Sequence, residues 1–396
     1  MSTFKEISAV TAMNMRSLPQ RALTSSVVVV GIAGVVAVLI SVLSLATGLA
    51  KTLSSTGRAE RAIVLYGGAQ SETDSNISRD AVFTIMDSPG IKRDTDGKAL
   101  VAADAVSSIW LPKKDSRELG SVAFRGISAK NFAVRPEMKL VAGRMFQPGL
   151  REILVGMAAQ ARFKGLELGN RVVSGDTEWL VVGIVASNGD AHESELITDA
   201  DTLLSAYRRT TLNSVTVWLD SPSAFDTFKA SITTNPTLTL DVRHESDYYE
   251  QQSKRFGTFL SVVANVIGVI MAIGAIFGAL NTMYSAVSAR SVEIATLRAL
   301  GFGASGVVVS VFAEALVLAI AGALGGAALA WVFFNGNTVS TISGGSGLSQ
   351  VAFHLRVGFD LVAVGIAWSC IVGLVGGLFP AIRAARVPVA VALRAT

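Results

Sequence analysis

The chain has 396 residues, of which 51% are hydrophobic and only 16% charged. Soluble domains carry about 25% charged residues, so a wholly water-soluble fold is excluded. The single cysteine, Cys370, rules out an intrachain disulfide and a cysteine metal site. The three histidines, His192, His244 and His354, are far apart in sequence and read as scattered surface residues.

Residues 1–21 open the chain. Phe4 to Leu18 mixes Phe4, Ile7, Val10, Met13 and Leu18 with polar residues, a pattern suited to a short helix lying on a membrane surface. Residues 22–49 are almost uncharged and form the first transmembrane segment. A signal sequence is the rival reading, but its apolar core spans only about 7–15 residues, and this run is far longer.

Residues 50–255 read as a mixed α/β domain. RAIVLY (61–66), SVAFRGI (121–127), WLVVGIVA (179–186) and SVTVWL (214–219) are predicted strands, rich in β-branched and aromatic residues. Ser78 to Asp87, Asp201 to Arg208 and Ser223 to Ile232 are predicted helices. HESE at 192–195 could bind a metal loosely, but a solvated loop is the simpler expectation.

Three further apolar segments follow, at 256–287, 304–334 and 359–379. All are rich in glycine and alanine, and small residues let membrane helices approach closely. Gly268, Gly274 and Gly278 in the second segment, and Gly322, Gly325 and Gly326 in the third, are read as packing sites. Residues 335–358 form a short Gly/Ser loop, and 380–396 a tail. The fold class is therefore an α-helical membrane protein with four transmembrane helices in a 1+3 arrangement and an extracytoplasmic α/β domain between the first two.

Orientation follows from charge. The N-terminal segment, residues 288–303 and the tail together hold Lys5, Arg16, Arg21, Arg290, Arg298, Arg383, Arg386 and Arg394 against only Glu6 and Glu293. Basic residues collect on the cytoplasmic side, so both termini are expected inside, and residues 50–255 and 335–358 outside.

Within 288–303, Ser291 to Leu300 has helical character. Ile294, Leu297 and Leu300 share a face, Arg290, Glu293 and Arg298 supply charge, and Gly301 stands where a left-handed residue ends a helix. A short amphipathic helix between two membrane helices can dock a partner or simply turn the chain. Glu314 lies inside the third apolar segment, where an acid is costly and a functional candidate. It could hydrogen-bond a neighbouring helix or the 288–303 loop, or handle protons or substrate. ISGGS (342–346) is similar to an ATPase signature, but the chain has no G-x-x-x-x-G-K-[ST] phosphate loop.

The stretch SARSVEIATLRALGFG resembles the coupling loop of the MacB/FtsX-like ABC transporter permeases, usually E-R-x-x-E-I-G-x-x-R-A-L-G-A. Arg290, Glu293, Ile294, Arg298, Ala299, Leu300 and Gly301 match, and Ala295 stands where the family has glycine. VFAEALVLAIAGALGG is similar to the family's next helix, with Glu314 as its acid. The tail matches at Pro380, Ala381, Ala384, Ala385, Pro388, Ala392, Leu393 and Arg394. AGRMFQPGLREILVG followed by WLVVGIV resembles the family's periplasmic G-R-x-F, VxxG and VVGV run.

The resemblance implies a permease subunit in the bacterial inner membrane, itself not an enzyme. It has no cofactor of its own, since a separate cytoplasmic ATPase binds ATP and magnesium. It further implies mechanotransmission to the outside domain for export or efflux, a second permease copy (homo- or heterodimer), a membrane-fusion adaptor and an outer-membrane channel, with no nucleic-acid partner. An FtsX-like regulatory permease or a lipoprotein-release permease is the alternative. Arg290, Glu293, Ile294, Leu297, Arg298, Leu300 and Gly301 are the implied ATPase-coupling residues.

Overall fold

The computed structural model describes residues 3–17, 22–128, 131–235, 237–300, 302–341 and 351–386. Gly301, the ISGGS stretch and the tail matches Pro388, Ala392, Leu393 and Arg394 lie outside the described residues, as do Leu18, Arg21 and the end of the chain. In chain order the elements are α1 (Thr3–Ser17), α2 (Ala22–Thr56), β1 (Arg61–Tyr66), α3 (Arg79–Met86), β2 (Val101–Pro112), β3 (Leu119–Ile127), α4 (Asn131–Val134), β4 (Lys139–Gly143), β5 (Glu152–Gly156), α5 (Met157–Arg162), β6 (Arg171–Ser174) and β7 (Thr177–Ala186). Then come β8 (Glu195–Asp199), α6 (Ala200–Ala206), β9 (Ser214–Trp218), α7 (Ala224–Thr233), β10 (Leu240–His244), α8 (Glu245–Ala289), α9 (Ser291–Ala299), α10 (Ala304–Phe334), β11 (Thr338–Ser340), β12 (Ala352–His354) and α11 (Phe359–Ala385). Two compact units result: a helical one (Met1–Thr47, Thr258–Asn337, Leu355–Thr396) and an α/β one (Gly48–Gly257, Thr338–His354).

In the helical unit, α2, α8, α10 and α11 are each long and apolar enough to cross a membrane. Their shared core joins Val28, Ile32, Val36 and Ile40 of α2 to Ala319, Ala323 and Ala327 of α10 and to Val372 of α11. Alanine and glycine dominate the α10 side because the backbones come close. A Cβ at Gly326 would lie 2.4 Å from the Ala33 carbonyl oxygen, and one at Gly322 2.9 Å from that of Val29. The expectation for the second segment needs correction. Cβ atoms at Gly274 and Gly278 would meet nothing within 4 Å, and one at Gly268 only Leu39 at 3.5 Å. These glycines do not draw helices together within this chain.

Helix α11 also outruns its predicted end. It continues through the buried Pro380 to Ala385, because a membrane helix tolerates proline where its neighbours and local adjustments re-satisfy the freed backbone groups.

The α/β unit is built on a mixed ten-stranded sheet, ordered β10-β1-β9-β2-β3-β8-β5-β7-β4, with β6 also on β7. β2 joins its two halves. Val101 to Asp104 pair with β9, and Ala105 to Pro112 pair with β3. The core fills with Ile77, Phe124, Phe163, Trp179, Leu203 and Phe228. Phe124 and Trp179 meet edge to face with ring centroids 4.9 Å apart, a favoured aromatic geometry. The segment between α10 and α11 is not a plain loop, since β11 and β12 pair antiparallel as a hairpin.

Candidate functional site

Two sites concentrate buried charge, one in each unit. In the helical unit, α8 ends at Ala289 and α9 begins at Ser291, so Arg290 sits in the break. Its guanidinium turns inward and meets the Glu314 carboxylate of α10 at 3.1 Å, with both side chains only 6% exposed. Ser310, one turn before Glu314 and fully buried, accepts a hydrogen bond from the Asn14 side-chain amide of α1. Arg298 donates to the Ala385 carbonyl at 2.9 Å, satisfying a free acceptor at the end of α11. Arg383 lies over the Tyr284 ring, 5.3 Å from its centroid. α9 is thus held to α10 and α11 by charged side chains as well as by apolar ones.

The predicted face of α9 is divided. Ile294 is 8% exposed and packs with Met283, Val287, Val307 and Val311 in the unit's own core. Leu297 is half-buried and lines a small cavity, about 20 Å³, shared with Val10 and Met13 of α1. Leu300 alone is free, at 72% exposure, with Glu293, Thr296 and Ala299 also exposed. Ile294, Leu297 and Leu300, expected to share one docking face flanked by Arg290, Glu293 and Arg298, are therefore not all open to a partner. The apolar edge of α9 is needed to seat the helix on its own bundle, and only its end stays available.

The second site lies where the chain enters and leaves the α/β unit. α2 ends at Thr56 and α8 begins at Glu245, and the two are joined. Arg61 donates from Nε to the Glu245 carboxylate at 2.6 Å, from Nη1 to Glu137 at 2.7 Å and from Nη2 to the Thr56 carbonyl at 3.2 Å. Gly57 completes the contact, since a Cβ there would lie 2.6 Å from the Glu245 carbonyl oxygen. Next to this, Arg125 uses its fork on Glu72, Asp104 and Glu195, at 2.7–3.0 Å. Arg135 shares Asp104 at 2.9 Å. The Tyr248 hydroxyl accepts from the Glu72 backbone N–H, so α8 touches this cluster too.

Such burial costs several kcal/mol per ion unless each charge is met, and here each arginine faces at least two acceptors. Burial pushes the Glu72 and Glu195 carboxyls up, but Arg125, joined by Ser214 at Glu72 and by His192 at Glu195, holds both below the ordinary range. Burial pushes His192 down, but Glu195, 3.0 Å from its Nδ1, and the nearby Asp190 together raise it.

HESE is therefore no solvated loop, and His192 is no surface histidine at 1% exposure. Ala191 to Ser194 form a buried 3-10 turn. Glu193 accepts the Ser187 and Gly189 backbone N–H groups, and Asp190 accepts from His192 N–H and the Ser187 hydroxyl. The turn carries charge in the interior because backbone donors and Arg125 meet it.

Comparison with known proteins agrees with both units. The MacB-like periplasmic core domain family matches residues 22–235, more than half of the chain. The FtsX-like permease C-terminal family matches residues 265–389, which contain α9 and the Arg290–Glu314 pair. The chain belongs to the MacB/FtsX-like ABC transporter permeases. It is similar along its whole length to the uncharacterized ABC transporter permease YknZ of Bacillus subtilis, with 23% identity over 98% of this chain and 97% of that one. Among solved structures it is similar to the extracellular domain of the ABC-type transporter YknZ from Gram-positive bacteria (17% identity, 46% of this chain, 99% of that one, TM-score 0.35). It is also similar to the periplasmic region of MacB from Actinobacillus actinomycetemcomitans (18%, 49% and 92%, TM-score 0.37).

For a permease of this family, two of the predicted residues, Arg290 and Glu314, come together as a pair, while Arg298 binds α11 and Glu293 remains exposed. Sequence reasoning missed Arg61, Arg125 and Arg135. The signal was present for two of them: Arg61 opens and Arg125 interrupts an otherwise apolar strand.

Proposed function

We propose that this permease, itself without ATPase activity, couples ATP hydrolysis by a separate cytoplasmic ATPase to movement of its α/β domain. In this reading the chain lies in the bacterial inner membrane as one spanning helix, the domain and three more spanning helices. Both termini and α9 face the cytoplasm, and the domain faces outward. The observation that carries the proposal is the seating of α9. One edge is locked to α10 and α11 by Ile294, Arg290 and Arg298, while Leu300 projects unfilled from its end. A helix fixed in this way transmits a push instead of absorbing it. Within the α/β unit, the Arg61–Glu245 pair ties the ends of α2 and α8 to the sheet, which gives the domain firm handles.

We further propose that a second permease copy completes the assembly. The domain acts on an exported substrate with a membrane-fusion adaptor and, beyond it, an outer-membrane channel. ATP and magnesium reside on the ATPase alone.

Leu300→Asp tests the docking. Full burial of a leucine is worth about 1.5–3 kcal/mol, so the variant should retain the ATPase at least about tenfold less well in co-purification. It should leave the α/β domain folded and protease-resistant. Undiminished retention with full activity would remove α9 from the coupling path.

A further inference from the structure

The connection between α10 and α11 is longer than it needs to be. It spans residues 335–358, whereas helix–helix connections in bundles usually take about 2–8 residues. Its hairpin belongs to the α/β unit, although the helices it joins belong to the helical one. Two strands of three residues are not stable alone, and the hairpin is held by burial. Phe353 is 2% exposed and Thr341 5%. A Cβ at Gly48 of α2 would lie 2.7 Å from the His354 carbonyl oxygen and 2.9 Å from the Phe353 ring. The first of these neighbours is backbone and cannot yield, so the contact requires glycine. On its other side, the Ala352 N–H donates to the buried Ser194 hydroxyl at 2.9 Å. Ser194 closes the same turn whose Ala191 N–H is bonded to Thr56 Oγ1 of α2 at 3.0 Å. Its neighbour Glu195 is the partner of Arg125.

From this geometry we infer that Gly48, Ser194 and Phe353 are positioning residues. They clasp the β11–β12 hairpin to the end of α2 and to the 191–194 turn as one body, so that α10 and α11 drive the domain through the hairpin in addition to the drive through α2 and α8. The inference rests on the transmission function proposed above. It requires that the clasp stay closed throughout turnover. The 191–194 turn and its charge cluster would then receive movement from three stretches of chain: α2 through Thr56, α8 through Glu245 and Tyr248, and the hairpin through Ser194.

The test uses the full chain in its membrane with Cys370→Ser. Cys introduced by Ala352→Cys should resist an impermeant maleimide, in contrast to Lys98→Cys at an exposed site of the same domain. Adding Gly48→Leu should raise its labelling rate at least about tenfold. The second arm reconstitutes the chain with its co-purified ATPase and follows amide exchange in residues 48–257 with and without ATP. Ser194→Cys with Ala352→Cys, joined by an added oxidant, should leave the ATP-driven change intact. Gly48→Leu should reduce that change while retaining the ATPase, leaving the part carried by α2 and α8, and an undiminished change would overturn the route through the hairpin. Ser194→Ala should weaken it, and Ser194→Thr, which keeps the hydroxyl, should restore it. Rapid labelling of Ala352→Cys in the otherwise unaltered chain would overturn the clasp. Loss of the ATP-driven change in the cross-linked form, with ATPase still bound, would show that the hairpin must slide, and would also overturn it. If no ATPase co-purifies with the parent, the transmission function falls and the route through the hairpin falls with it. That failure is recognisable because protection of Ala352→Cys is measured without any partner.

Discussion

At the scale of single residues, Arg290 and Glu314 show how an acid within a long apolar helix is made tolerable. Glu314 stands ten residues into α10 and meets the one basic residue in the α8–α9 break. Removing one partner of a buried pair costs about 3–5 kcal/mol, whereas replacing both by apolar residues is often neutral. Glu314→Gln should therefore lower the thermal stability of the purified chain sharply, and Arg290→Met with Glu314→Leu should recover most of the loss. Equal losses in the single and double variants would mean that the pair does not act as a unit.

His192 makes a prediction with a definite sign. Its folded pKa is raised above the ordinary value of 6.5. Its contribution is then complete below pH 6.5 and is lost as the pH rises through the raised value. Amide protection of residues 190–195, corrected for intrinsic exchange, should fall across that window, and His192→Gln should flatten the fall. Glu195 acts oppositely: its lowered pKa makes its contribution complete above about 4.5 and lost in stronger acid. Protection that rises with pH above 6.5 would contradict the assigned ion pair.

At the scale of elements, legibility followed the physics of each segment. β1 was read at its full length because RAIVLY is apolar after its opening Arg61, and β3, β7 and β9 were read nearly so. β8 escaped because ELITD begins and ends with carboxylates, whose burial depends on partners distant in sequence. β2 escaped because its two halves pair with different strands and no single alternation runs through it. The apolar runs located the spanning helices but not their ends. α8 starts at Glu245 and α2 continues to Thr56, against predicted limits of 256 and 49. Hydropathy reports the part of a helix in lipid, whereas backbone hydrogen bonding carries the helix past it. At 1.5 Å per residue α8 is about 68 Å long, twice what a hydrocarbon core of about 30 Å needs.

The glycines of α10 make a further prediction. Gly326→Leu must separate α2 from α10, so it should reduce the folded, detergent-stable fraction severely, whereas Gly278→Leu, which faces open space, should not. Similar losses for both would show that α8 packs on another chain at Gly278.

At the scale of the molecule, the charged clusters at the two sites share a logic. Each fixes a helix end where movement would have to pass from one element to the next: α9 against α10 and α11, and α2 and α8 against the sheet. The sequence displayed the first because Arg290 and Glu314 belong to motifs. It hid the second because Arg61, Arg125 and Arg135 have partners up to 184 residues away. The proposed orientation predicts that a reporter inserted near Asp190 is active only outside the cytoplasm, and one at the C-terminus only inside. The reverse pattern would invert the whole reading.

The most direct measurement of the central claim combines both ends in one sample. The chain is purified with its native ATPase, and ATP-driven change in amide exchange of residues 48–257 is compared between the parent and Leu300→Asp. Coupling through α9 predicts a clear ATP-dependent change in the parent and none in Leu300→Asp, with the domain's exchange in the absence of ATP identical in both. An equal ATP-dependent change in the two would contradict it.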